Sequence, residues 1–234
     1  MEELDYPQLY WRGRVVENSE DEGESESSVA GEAMAIAGNE KEASSSENAN
    51  ALPVARQQET ATMTPIERLA AKADGKQREL IENQRGITYF GLFGPYLAGA
   101  KKIVIEDAYV RMPYQLRNLA EFLEMLLRCK NPDEDVAVHL VTGHNESGFV
   151  EAQLNGLNEL ASTFSQLGVN LTYEFRDTLH DRSITADTGW EILPGRGLDI
   201  FQKFVDGDWL NPLLRHQQLR RVKECKVTYR RIDG

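Results

Sequence analysis

The placement of the aromatic side chains limits what this chain can fold into more than any other feature. Of its 8 Phe, 8 Tyr and 3 Trp, Tyr6, Tyr10 and Trp11 lie near the start, none falls between Arg12 and Thr88, and all the others lie between Tyr89 and Tyr229. Aromatic rings bury large apolar areas and dominate cores. A long segment without them has little to offset the entropy lost on ordering it. The pattern therefore predicts one core, built from residue 89 onward, and that length suffices for a normal single domain. Charge divides the same way. From Tyr89 to Gly234 there are 17 Lys and Arg against 20 Asp and Glu, a net of −3, so −9 of the total −12 belongs to the part before it. The low isoelectric point describes a tail rather than a binding surface, and the folded part lacks the overall basic excess of a dedicated nucleic-acid binder.

The organisation follows from local pattern. Residues 1–17 hold a short strand-like stretch, LYWRGRVVE from Leu9 to Glu17, which cannot stand alone and is either paired elsewhere or the last strand of a preceding domain. Residues 18–62 are rich in Ser, Glu, Gly and Ala without apolar periodicity, as in SEDEGESESS, and predict an acidic disordered linker. Residues 63–85 predict a helix. It opens on the capping box Thr64-Pro65-Ile66-Glu67 and stops at Gly86. Residues 86–234 carry the ordered domain. ITYFGLFGPYLAGA reads as a short glycine-broken helix docked by its aromatics. Ile103-Val104-Ile105, VAVHLVT from Val136 and VNLTYEF from Val169 read as strands. Leu116, Leu119, Phe122, Leu123, Leu126 and Leu127 recur at three and four and predict an amphipathic helix, and Phe149, Val150, Leu154, Leu157, Leu160, Ala161 and Phe164 mark a second. After His180 the pattern turns β-rich, ending in VKECKVTYRRI. Strand-helix-strand-helix-strand implies right-handed crossovers and a central parallel sheet. The expected fold is α/β, a mixed, mainly parallel sheet flanked by helices, after a disordered N-terminal segment.

Several classes of chemistry find no support. The two cysteines, Cys129 and Cys225, sit in no CxxC and no Cys/His cluster, so neither a zinc site nor a disulfide framework is expected. No metal and no cofactor are expected. No apolar run approaches a membrane span, the start is too acidic for a signal peptide, and a soluble cytoplasmic protein is expected. No G-x-x-x-x-G-K-[ST] occurs, so this chain carries no ATPase motif.

One motif bears on chemistry. His180-Asp181-Arg182-Ser183-Ile184-Thr185-Ala186-Asp187 has the form H-x-R-x4-D. Phosphodiesterases of the phospholipase D class use H-x-K-x4-D, in which histidine attacks phosphorus, lysine steadies the phosphoryl oxygens and aspartate orients a histidine. Arg182 stands in the lysine place. A guanidinium grips phosphate, commonly through two parallel hydrogen bonds, but does not reproduce a compact ammonium. Those enzymes pair two motifs per site, and this chain has one; a homodimer would be needed to supply the second.

Around this motif the chain resembles the phospholipase D-like domain found C-terminal to MIT domains. The resemblance is carried by E-D-x-Y-[IV]-R at Glu106 to Arg111, Q-L-x-N-L at Gln115 to Leu119, H-D-R at His180 to Arg182, Gly189-Trp190, and G-R-G-L-D at Gly195 to Asp199. It implies the phospholipase D-like fold and, from the eukaryotic members, non-hydrolytic binding of acidic phospholipid headgroups. The stretch ENQRGITYFGLFGPYL is also similar to the C-terminal region of bacterial Lon-like AAA+ proteins, the BrxL type of BREX phage-defence systems. That likeness implies an upstream AAA+ or Lon-like component outside this chain.

These readings combine into a non-catalytic binding module. Arg111, His180, Arg182 and Arg196 would meet a phosphate-bearing ligand, a phospholipid headgroup, nucleic acid or an acidic protein surface. Asp107, Asp187 and Asp199 would orient them, and the glycines flanking Arg196 would let backbone amides approach the anion. The competing bland reading makes the same residues an ion-pair network that locks strand ends to loops. An enzyme is the alternative, a homodimeric phosphodiesterase using His180, Arg182 and Asp187.

Overall fold

In the computed structural model, residues 63–145, 149–203 and 210–232 are described, all within the compact unit Asn50–Gly234. The strand-like stretch at 9–17, the acidic linker and Trp209 lie outside them.

Thr64 begins the first helix, α1 (Pro65–Ala70), by the expected capping box. Its side chain accepts from Glu67 N–H, and Glu67 accepts from Thr64 N–H in return. The helix then ends after 6 residues instead of reaching residue 85. Only Leu69 of α1 is buried, too little apolar area to carry further turns. Asp74 forms an Asx turn onto Lys76 N–H, and Gly75 takes a left-handed φ of +65°. The chain then enters β1 (Arg78–Leu80), whose Leu80 joins the core at the sheet edge.

From there the expected series appears: α2 (Tyr89–Leu97), β2 (Lys102–Asp107), α3 (Pro113–Leu127), β3 (Val136–Thr142), α4 (Val150–Ser165) and β4 (Val169–Phe175). Then come β5 (Arg182–Ala186), β6 (Trp190–Pro194), the short α5 (Pro212–Arg215), a single 3-10 turn at Gln217–Leu219 and β7 (Cys225–Arg231). The seven strands form one mixed sheet in the order β1-β7-β6-β5-β2-β3-β4. β2, β3 and β4 run parallel, joined by the two helical crossovers. The pairings β2–β5, β5–β6, β6–β7 and β7–β1 are antiparallel. Parallel pairing is thus confined to three strands rather than dominating the sheet: the short turn between β5 and β6 admits only antiparallel neighbours, and β7 pairs antiparallel with β6 and β1 across long sequence separations.

The helices cover one face. Ile103, Ile105, Val136, Val138, Leu140, Val169 and Leu171 point into a core with Leu119, Phe122, Leu123 and Leu157. α2 contributes Tyr89, Phe93 and Tyr96, and Tyr96 stacks on Tyr229 with ring centroids 3.9 Å apart. On the other face Val104, Asn170, Thr172 and Glu174 are exposed. There His139 meets Thr172 Oγ1 at 2.9 Å, as expected of a hydrogen-bonded sheet-face histidine. Cys129 follows α3 and is buried, which pushes its thiol up to about 12. No helix among the described residues is long and apolar enough to cross a membrane.

Candidate anion site at the carboxyl edge of the parallel strands

Register brings the candidate residues to one level. Asp107 pairs with Arg182 across β2 and β5, and Thr142 pairs with Phe175 across β3 and β4. The segments that follow Asp107, Thr142 and Phe175, and the one that precedes Arg182, therefore meet at the carboxyl ends of the parallel strands. Open α/β sheets bind ligands at such an edge. Because β5 lies beyond β2 in the sheet, residues 176–181 must cross the ends of β3 and β2 to reach it. Leu179 pins this crossing by packing on Ala108 and Val141.

Asp107 is the buried anchor, 3% exposed. Its Oδ1 accepts from Tyr109 N–H at 3.0 Å and its Oδ2 from Leu198 N–H at 3.1 Å. Gly197, at φ +59°, comes so close that a Cβ there would overlap Oδ2. The glycines around Arg196 do let an amide approach an anion, but that anion is the protein's own Asp107. Burial pushes the Asp107 carboxyl above the ordinary aspartate range, against its backbone hydrogen bonds and the nearby Arg182. The folded protein therefore holds this proton more tightly than the unfolded chain. Just above the ordinary aspartate value, stability falls as pH rises. Asp107→Asn is expected to flatten that part of the curve. Urea midpoints measured from about pH 4 to 6 check it, and an unchanged slope would reject burial as the governing effect.

Arg182 lies beside Asp107 without closing onto it. Its Nε stands 3.7 Å from Asp107 Oδ1, too far for a hydrogen bond, and is buried without a partner. Its Nη1 donates to Gly195 O at 2.8 Å. Its guanidinium lies 4.3 Å from the Tyr109 ring centroid, with the side chain 28% exposed. Arg111 approaches the same ring at 5.6 Å, donates from Nε to Ala108 O at 2.6 Å, and fills the space beside Gly143. Arg196 is exposed and donates from Nε to Glu224 O at 2.9 Å, next to the Gly195 carbonyl that holds Arg182. Arg111, Arg182 and Asp107 thus gather at Tyr109, with Arg196 on the adjoining turn.

The other candidates lie differently. His180 is exposed and its ring bonds to no other described residue. Asp187 sits at the far end of β5, about 16 Å along the strand at ~3.3 Å per residue. There it accepts from Lys101 N–H at 3.0 Å, so it does not orient His180. Asp199 pairs with Lys223 at 2.8 Å rather than with an arginine of the edge.

Other residues at the edge escaped the sequence reading. Gln153, 1% exposed on α4, ties the segments after β2 and β3 together, donating to Val110 O at 2.8 Å and Gly143 O at 3.0 Å while accepting from Asn145 N–H at 3.0 Å. His144 pairs with Asp177 at 2.9 Å. Arg176 is balanced by Glu106 and Glu174. None sits in a motif. The buried glutamine on the apolar face of α4 was the one readable signal, since such a group demands partners.

The model of the family described as a phospholipase D-like domain at the C-terminus of MIT matches residues 86–231, more than half of the chain. The chain belongs to that family. The mouse (Mus musculus) protein named MIT domain-containing protein 1 is 38% identical over 136 residues, covering 56% of this chain and 54% of that relative. The chain spans about half the length of this curated relative. Within the phospholipase D-like domain, all of β2 to β7 and the whole carboxyl edge fall inside the match.

Proposed function

We propose that this phospholipase D-like domain is a non-catalytic binding module that holds an anionic group of a ligand or partner at the carboxyl edge. Arg182 and Arg196 provide the grip, Arg111 adds charge beside Tyr109, and His180 stands at the rim. The observation that carries this reading is the Arg182–Tyr109–Arg111 assembly. Two guanidiniums share one ring that is 45% exposed. One of them keeps a buried donor that the nearest carboxylate does not satisfy. An arriving phosphate or carboxylate would meet charge-assisted donors already oriented by Gly195 O and Ala108 O. The isolated position of His180 also favours binding over catalysis, because a nucleophilic histidine needs an orienting group.

The test compares wild type with Arg182→Ala and Arg196→Ala by calorimetric titration with inorganic phosphate, after thermal melting confirms folding. Each substitution is expected to weaken binding about tenfold, the loss of roughly one charge-assisted hydrogen bond. Unchanged affinity in both would reject the site. The likeness to Lon-like defence proteins extends the reading, making the domain an accessory module of an upstream AAA+ component in bacteria. Co-purification with such a component would support this extension.

A second reading, a phosphodiesterase completed by a second copy of the chain, is favoured by the exposure of His180. It predicts metal-independent turnover of a phosphodiester that disappears in His180→Ala.

A further inference from the structure

The cationic edge continues past β2 onto β3. His144 stands two residues beyond β3, with its ring stacked on Phe175 at 4.3 Å between centroids and 20° between planes. Its Nδ1 lies 2.9 Å from Asp177 Oδ1, and its backbone N–H donates to the same oxygen at 3.4 Å. The His144 hydrogen bond holds the Asp177 carboxyl below the usual aspartate range, so it stays a carboxylate and can only accept. Nδ1 therefore carries a proton, and Nε2 is the ring atom left for an outside partner. In the imidazolium form both ring nitrogens donate, and Nε2–H then meets an outside anion. The side chain is 45% exposed, and the stack and the carboxylate hold the ring without enclosing it.

Arg111 links this histidine to Arg182. Its guanidinium lies against Gly143, the residue before His144, and its charge reaches Asp177. Adjacent strands are about 4.8 Å apart, so the ends of β5, β2 and β3 together span about 10 Å. That is wider than a single phosphate group.

We propose that His144 is a second anion-contacting residue of this edge, and that the edge takes a ligand with two linked anionic groups, one at Arg182 and the other at His144 beside Arg111. This inference rests on the reading that Arg182 holds an anion. The reading itself requires only one anionic group and leaves His144 unused.

The probes are inorganic phosphate and tripolyphosphate, titrated calorimetrically into the full chain. Wild type is expected to bind tripolyphosphate about tenfold more tightly than phosphate, the worth of one further charge-assisted contact. His144→Ala should remove most of that preference and leave phosphate affinity within about twofold. Asp177→Asn, which leaves the imidazole in place but loosens it, should reduce the preference in part. Thermal melting of both variants shows that the fold is retained, as the exposure of both side chains leads one to expect. If Arg182→Ala weakens phosphate binding while His144→Ala and Asp177→Asn keep the full preference, the anion site stands and this inference is overturned. If wild type binds neither probe, both fall.

Discussion

Replacing Gly197 by alanine is expected to destabilise the domain by roughly 3 kcal/mol or more, a loss that a urea titration measures directly. Two costs add. An L residue at φ +59° is in the left-handed region, which costs about 1 kcal/mol. The larger cost comes from Asp107. The new Cβ would overlap Oδ2, lie 2.6 Å from Cγ and 3.1 Å from Arg182 Cδ. Asp107 cannot yield, because its two oxygens are bound to Tyr109 N–H and Leu198 N–H. Displacing it would strand a buried carboxylate and two amides, at about 1–3 kcal/mol for each unsatisfied group. Gly86→Ala is the control. Gly86 also has a positive φ, +83°, but nothing lies within 4 Å of a Cβ there, so its cost should be the backbone strain alone, about 1 kcal/mol. Equal losses at the two positions would refute the cradle around Asp107.

Glu121→Ala is expected to cost about 3–5 kcal/mol, the usual penalty for breaking a buried ion pair from one side. Glu121 projects from α3 and receives Arg220 Nη1 at 2.9 Å on both oxygens, with Gln217 Nε2 at 2.9 Å on one of them. The Arg220 side chain is 4% exposed, and its guanidinium lies 4.4 Å from the Phe201 ring centroid. Removing the carboxylate leaves that cation buried away from water. It also loosens the segment before β7 from α3. Pairing Glu121→Ala with Arg220→Met should recover much of the loss, because the buried charge goes with the arginine. Thermal melting of both single variants and the double variant tests this. A double variant as unstable as the sum of the singles would contradict it.

How far these features could be read in the sequence depended on their range. The runs Ile103-Val104-Ile105 and VAVHLVT announce strands because a strand packed beneath helices is apolar over several residues. The leucines of α3 announce a helix because they recur at three and four. The capping box at Thr64 located where α1 begins. Its end was misplaced because an Asx turn at Asp74 and the left-handed Gly75 outweigh weak helix formers when only Leu69 is buried. The antiparallel half of the sheet was underestimated because pairing order depends on contacts between distant residues, such as Leu80 against Cys225.

In the site, the E-D-x-Y-[IV]-R and H-x-R motifs led to Asp107, Arg111 and Arg182; the register of β2 and β5 sets Asp107 beside Arg182, and the Tyr109 ring lies against both arginines. The H-x-R-x4-D spacing suggested that Asp187 would serve His180, but five residues of extended strand put the two at opposite ends of β5. His144 and Asp177 lie 33 positions apart in sequence and meet only because β3 and β4 end at the same level. No local pattern could have joined them.

The central claim is that cations from separate loops act together on a single anionic ligand at the carboxyl edge. Side-chain NMR of the arginine Nε–H groups during a phosphate titration tests it most directly. The Arg182 and Arg196 resonances are expected to move together with the backbone amides of Tyr109, Arg111 and Gly195, all fitting one dissociation constant. Resonances that stay fixed at Arg182, or that follow unrelated affinities at each arginine, would contradict it.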